Sequence, residues 1–190
     1  MSQKRNKGKI LFFRESTFRV AELIFNSPNK TFHIRMLEKE TGFSTTAIKD
    51  SINELKEYKI ITVEKTPLTT NIRADLGSEA YRFYKMAFNL YRLKRYTFVD
   101  NLAEIFNNPE AIVLFGSFAK GEDIEESDID ILVISSNEPK NDLKNFTHTF
   151  EKVFDRKINI HILNSLGKSS NEFKNAVANG IVLHGYLKVV

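Results

Sequence analysis

No cysteine occurs among the 190 residues. That excludes disulfides and thiolate metal sites, and it leaves an intracellular, cytoplasmic protein as the default expectation. No apolar run approaches the roughly 20 residues of a membrane-spanning helix, and nothing at the start has the pattern of a secretory leader. No membrane partner is expected. The opening MSQKRNKGK is basic and polar and reads as a flexible arm. What remains suffices for folding. Hydrophobic residues are 42% of the chain and charged residues 27%, and the length suits one medium domain or two small ones.

The net charge of +4 hides an asymmetry. Residues 1–95 carry 19 Lys and Arg against 10 Asp and Glu; residues 96–190 carry 9 against 14. A basic half joined to an acidic half suggests two modules with different partners. Phosphate backbones would be drawn to the first half. An anionic ligand would need a cation to be held by the second. The competing reading is a merely solvated surface.

In the basic half, Val20, Leu23 and Ile24 give helical spacing over Thr17 to Phe25, which Ser27-Pro28-Asn29 ends. A second helix is expected over Ile34 to Thr41, before Gly42. A third starts at Ser44, a good N-cap, and carries Ile48, Ile52 and Leu55 on one stripe to about Tyr58. The period then changes. Ile60 to Val63 is short and β-branched, Pro67 marks a turn, and Thr69 to Ala74 can return as a second strand. The words IRMLEKETGFSTTAIKDSINELKEYKIITVEK resemble a winged helix-turn-helix domain, over about residues 15–76. The resemblance implies that the third helix enters a DNA major groove with its N-terminal residues, here Ser44, Thr45, Thr46 and Lys49. Lys65 and Arg73 on the wing would meet the DNA backbone, while Asp50 would repel it. Winged helices also mediate protein contacts, so that reading stays open.

Residues 78–96 contain neither Gly nor Pro and carry apolar residues on more than one stripe. They read as a connector helix packed on two neighbours. Its aromatics suit a core or dimer face rather than a base-stacking platform. A further helix is expected from Thr97 to about Asn107. The expected organisation is α+β: residues 10–76, a connector over 77–96, and an α/β domain with a mixed sheet over 97–190.

The acidic half holds the densest signal, GSFAKGEDIEESDID from Gly116 to Asp130. The apolar run AIVLF leads in and ILVI leads out, both as buried strands. Phe118 to Lys120 can open a short helix that Gly121 breaks. Alternation along a strand from Asp128 to Ile134 puts Asp128 and Asp130 on one face, with Ile129, Ile131 and Val133 on the other. Two carboxylates beside a Gly-Ser turn suit a divalent cation that also holds phosphate oxygens. Solvated aspartates at a strand start are the alternative.

Gly-Ser, ten residues, then Asp-x-Asp resembles the signature of the polymerase-β-like nucleotidyltransferases, most closely their minimal branch. The late stretch NGIVLHGY, Asn179 to Tyr186, is similar to the closing segment of those domains. A winged helix fused ahead of such a domain is similar to prokaryotic, especially archaeal, architectures. The resemblance implies that Asp128 and Asp130 bind Mg²⁺ (or Mn²⁺) bridging ATP or another NTP. Gly116 and Ser117 would hold its phosphates, and Lys120 is a candidate phosphate contact. A nucleotidyl group would pass to a hydroxyl of protein or RNA, with pyrophosphate leaving. It also implies a third carboxylate on a later strand. The matching strand here is Lys157 to Ile162, where Ile158, Ile160 and Ile162 would alternate onto the core and Asn159 and His161 would face the aspartates. Asn159 occupies the expected carboxylate position. An amide is a neutral ligand with no useful basicity. His161 could act as base or ligand, or be an ordinary strand histidine. Two readings follow: a nucleotidyltransferase, or a transcriptional regulator or antitoxin-like protein whose impaired domain senses a nucleotide. The minimal branch implies a small helical toxin-like partner, and dimeric winged helices make a homodimer a further expectation.

Overall fold

The computed structural model describes residues 9–10, 13–139 and 142–188. Residues 1–8 of the expected basic arm lie outside them. The chain divides into two compact units, Met1–Phe88 and Asn89–Val190. The fold is α+β, and its largest sheet is mixed.

The first unit opens with a two-residue pair, β1 (Lys9–Ile10) against β2 (Phe13–Arg14). Three helices follow: α1 (Glu15–Asn26), α2 (Ile34–Thr41) and α3 (Thr45–Glu57). Each buries an apolar face: Val20 and Ile24 on α1, Leu37 on α2, and Ile48 and Leu55 on α3 are fully buried. Gly42 ends α2 in the left-handed conformation at φ 72°, which glycine adopts without a Cβ penalty. Ser44 caps α3, its hydroxyl oxygen accepting from the Ala47 N–H at 3.4 Å. Next come β3 (Ile61–Lys65) and β4 (Thr70–Ala74), an antiparallel pair running from Ile61↔Ala74 to Lys65↔Thr70. β3 starts one residue later than the β-branched run suggests. The Ile60 N–H still serves the helix exit, donating to the Leu55 carbonyl at 2.9 Å. Phe32 and Ile72 exchange two backbone hydrogen bonds, at 2.8 and 2.9 Å, tying the segment before α2 to the hairpin. α4 (Glu79–Arg95) contains the division between the units. Its Tyr81 and Phe88 rings lie 5.6 and 5.3 Å from Phe25, whereas its Leu93 belongs to the core of the second unit.

The second unit runs α5 (Phe98–Ile105), β5 (Ala111–Phe115), α6 (Gly116–Lys120), β6 (Ile129–Ile134), α7 (Leu143–Phe154), β7 (Ile158–Leu163), α8 (Asn171–Ala178) and β8 (Ile181–Gly185). Its sheet has the order β7-β6-β5-β8, with β6 and β7 parallel and the other neighbours antiparallel. One face carries Ile112, Leu114, Ile129, Ile131, Val133 and Ile158 against the phenylalanines of α5 and α7. Phe146, Phe150 and Phe154 recur every fourth residue of α7, one stripe of a 3.6-residue period. Burying each such ring stabilises the fold by about 2 kcal/mol. The opposite face carries Val113, Phe115, Leu132 and Ile134, against Leu166 and Val177.

Two expectations change. The short helix α6 begins at Gly116 itself, not at Phe118. Ile162 does not join the core: it is 40% exposed, because β7 is an edge strand and the apolar cluster that takes Ile158 and Ile160 ends before it.

Candidate functional site

The Gly-Ser turn stands where β5 passes into α6. Gly116 has φ 75°, and a Cβ there would lie 2.6 Å from Oδ2 of Asp130. Only glycine satisfies both constraints, so this residue lets the turn close against a carboxylate. Phe115, just before it, pairs with Asp130 across β5 and β6. Ser117 is half-buried, and Lys120 is exposed at the end of α6. Gly121, at φ 68°, stops the helix.

The loop back to β6 is anchored from within. Ser127 folds it locally, its hydroxyl oxygen accepting from the Ile124 N–H at 2.9 Å. Asn89, on α4, donates from Nδ2 to the Phe118 carbonyl at 2.9 Å and to Oδ1 of Asp123 at 2.8 Å. Both side chains are buried. Asn89 and Asp123 thus position the turn from behind. Their types alone hid this: one lies in an apolar helical run, the other in a loop that reads as solvated.

Asp128 sits just ahead of β6 and Asp130 within it; both are half-buried. The parallel register sets Asp130 beside Asn159. Nδ2 of Asn159 donates to Oδ2 of Asp128 at 3.1 Å and to Oδ1 of Asp130 at 3.0 Å. One amide group therefore bridges both carboxylates and supplies the hydrogens that partly offset their mutual repulsion. Asp155 caps the end of α7 and is exposed. His161 is exposed on the same face as Asn159, its ring packed 5.5 Å from Phe115 and 5.4 Å from Phe173. Among the described residues no group of three or more His, Asp or Glu side chains could hold a metal. Two carboxylates are nevertheless a sufficient protein share for Mg²⁺, which keeps waters and takes phosphate oxygens as its other ligands. The donor set fits one such ion. It does not fit a second, since the third place holds a neutral amide.

In the first unit, Ser44, Thr45, Thr46 and Lys49 are all exposed at the start of α3. Lys49 and Lys65 line one groove of about 530 Å³ between α3 and the hairpin, and Lys56 lines it too, which sequence reasoning did not single out. Its lysines lie at i and i+7 on α3, a spacing that could have found it. Arg73 is held elsewhere: its Nε donates to the Thr31 hydroxyl at 2.9 Å and its Nη1 lies 3.7 Å from Glu64. Asp50 lies on a different surface, with Arg14, Glu54 and Glu57.

None of the curated proteins matches the chain. A crystal structure of a toxin–antitoxin with AMP-PNP is similar at 22% identity, covering 47% of this chain and 73% of its own, with a TM-score of 0.38. A mutant of the toxin–antitoxin MntA-HpeT is similar at 20% identity, over 50% and 73%, with the same TM-score of 0.38. Residues 99–186 match the family described as Polymerase beta, Nucleotidyltransferase. That span contains the Gly-Ser turn, both aspartates and Asn159, so the nucleotidyltransferase match and the candidate site of the second unit coincide.

Proposed function

We propose that the second unit binds a nucleoside triphosphate with one divalent cation and that Asn159 withholds nucleotidyl transfer. The observation that carries this reading is the amide of Asn159 bridging Asp128 and Asp130 at 3.1 and 3.0 Å. Asp128 and Asp130 hold the cation, Mg²⁺ or Mn²⁺. Gly116 and Ser117 receive the phosphates at the turn, and exposed Lys120 adds a charge at the rim. The cation, when bound, would offset part of the triphosphate's negative charge and polarise its phosphorus–oxygen bonds. Transfer also needs a base to take the proton of an attacking hydroxyl. A carboxamide has no basicity to do so, and it offers no negative charge to hold a second cation. Asn159 instead fixes the two carboxylates in place.

The first unit, in the same reading, is a winged helix that binds duplex DNA, supported by the exposed start of α3 and the lysine-lined groove. The whole is a nucleotide-responsive regulator or antitoxin-like protein, and a helical toxin-like protein is a candidate partner on the resemblance of the second unit.

Transfer is tested with α-labelled ATP, Mg²⁺ or Mn²⁺, and mixed protein and RNA acceptors. The wild type should label nothing beyond what Asp128→Ala labels, and Asn159→Asp should gain labelling. Wild-type labelling that Asp128→Ala abolishes would overturn the withheld-transfer reading.

A further inference from the structure

Beside the carboxylate pair, on the same face of the sheet, three rings meet. Phe115 ends β5, His161 lies in β7, and Phe173 lies in α8; their centroids are 5.4 to 5.5 Å apart pairwise. Phe115 is almost entirely buried at 7% exposed, and Phe173 is half-buried. His161 is the exposed member, and it has a packed wall behind it. An open cavity of about 300 Å³ lies against His161 and Phe173, with Ile162, Leu163, Ser169 and Ser170 completing its lining. That volume is at the small end of ligand pockets.

The rings stand at a defined offset from the carboxylates. Asn159 and His161 are two residues apart on β7, and the register pairs them with Asp130 and Leu132 of β6. Two residues of strand span about 6.6 Å. A ribose and one phosphate bridge a gap of that order. This face of the sheet therefore joins a charged subsite for phosphate and cation to an aromatic one. A planar ring with a π-face and polar edges suits His161, Phe173 and the two serines better than an aliphatic group does.

We propose that His161 and Phe173 form the stacking subsite for the base of the nucleotide whose phosphates are held at Gly116, Asp128 and Asp130. This rests on the nucleotide-binding reading above. His161 is then a binding residue and not the missing base: its ring is committed to Phe115 and Phe173, while Asn159 alone bridges the carboxylates. Stacking tolerates every base, so discrimination between purines and pyrimidines should be modest.

The test titrates Mg²⁺-ATP and Mg²⁺-tripolyphosphate, which lacks base and ribose, into wild type, His161→Ala and His161→Phe. His161→Ala should weaken ATP about tenfold or more and leave tripolyphosphate unchanged. His161→Phe should restore ATP binding, since a phenyl ring also stacks; loss of packing alone would instead weaken tripolyphosphate together with ATP in His161→Ala. Unchanged ATP affinity in His161→Ala overturns the subsite, and so does equal weakening of both ligands. Wild type that binds tripolyphosphate as tightly as ATP also overturns it, but leaves the carboxylate reading standing. Wild type that binds neither removes both.

Discussion

Asn159 has two amide hydrogens, and both go to carboxylates. Charge-assisted hydrogen bonds of this kind contribute more than neutral ones, roughly 1.5–3 kcal/mol each when shielded and less at an exposed site such as this. Replacing the amide by a carboxylate removes both donors and sets three negative charges together. In metal-free buffer Asn159→Asp should therefore destabilise the protein by about 2 kcal/mol, a fall in Tm of about 4–8 °C. Millimolar Mg²⁺ should recover most of that loss, because a cation then takes the place of the hydrogens. Thermal melts with EDTA and with Mg²⁺ check it. A variant as stable as wild type in EDTA would show that the amide is not holding the pair. Much of this corner was legible. Alternation along Lys157 to Ile162 brings Asn159 to the aspartate face, and the register Asp130↔Asn159 fixes the neighbour. Ile162 was not, because alternation assigns a face but says nothing of where the covering layer ends.

At the scale of elements, α2 and β5 follow their sequence patterns residue for residue, since Gly42 and the Gly116 turn punctuate them. α8 is punctuated too, by its cap Ser170 and by Gly180 just beyond it, but α7 is harder to read. α7 interleaves its phenylalanines with Asn, Thr and His, which are weak helix formers, so its stripe of Phe146, Phe150 and Phe154 emerges only against the sheet. Strand order was also beyond local reading, because β8 returns from the chain's end to pair with β5. α3 and the hairpin show what elements add to residue types. They gather Lys49, Lys56 and Lys65 along one groove while Arg73 is tied to Thr31. Lys49→Ala should weaken duplex DNA binding and lower the salt slope by about 1, whereas Arg73→Ala should change it less. Fluorescence anisotropy across a salt series measures both. Arg73→Ala having the larger effect would move the DNA surface away from the groove.

Across the whole molecule, a basic first half and an acidic second half correspond to two kinds of chemistry. In the first unit, the described residues that line the groove include Lys49, Lys56 and Lys65 and no carboxylate. The second has carboxylates that need a cation before they can approach a phosphate. Within residues 99–186 the nucleotidyltransferase framework is present, from the glycine turn to the aspartate pair. Its departure is one neutral side chain at a position where a charge is expected. In the function proposed above, this framework still binds a nucleotide. The most direct measurement is a calorimetric titration of ATP with Mg²⁺ into wild type, Asp128→Ala and Asp130→Ala. The expected result is saturable, Mg²⁺-dependent binding to wild type that is weakened at least tenfold in each variant. Wild type giving no heat of binding, or variants binding as tightly as wild type, would contradict it.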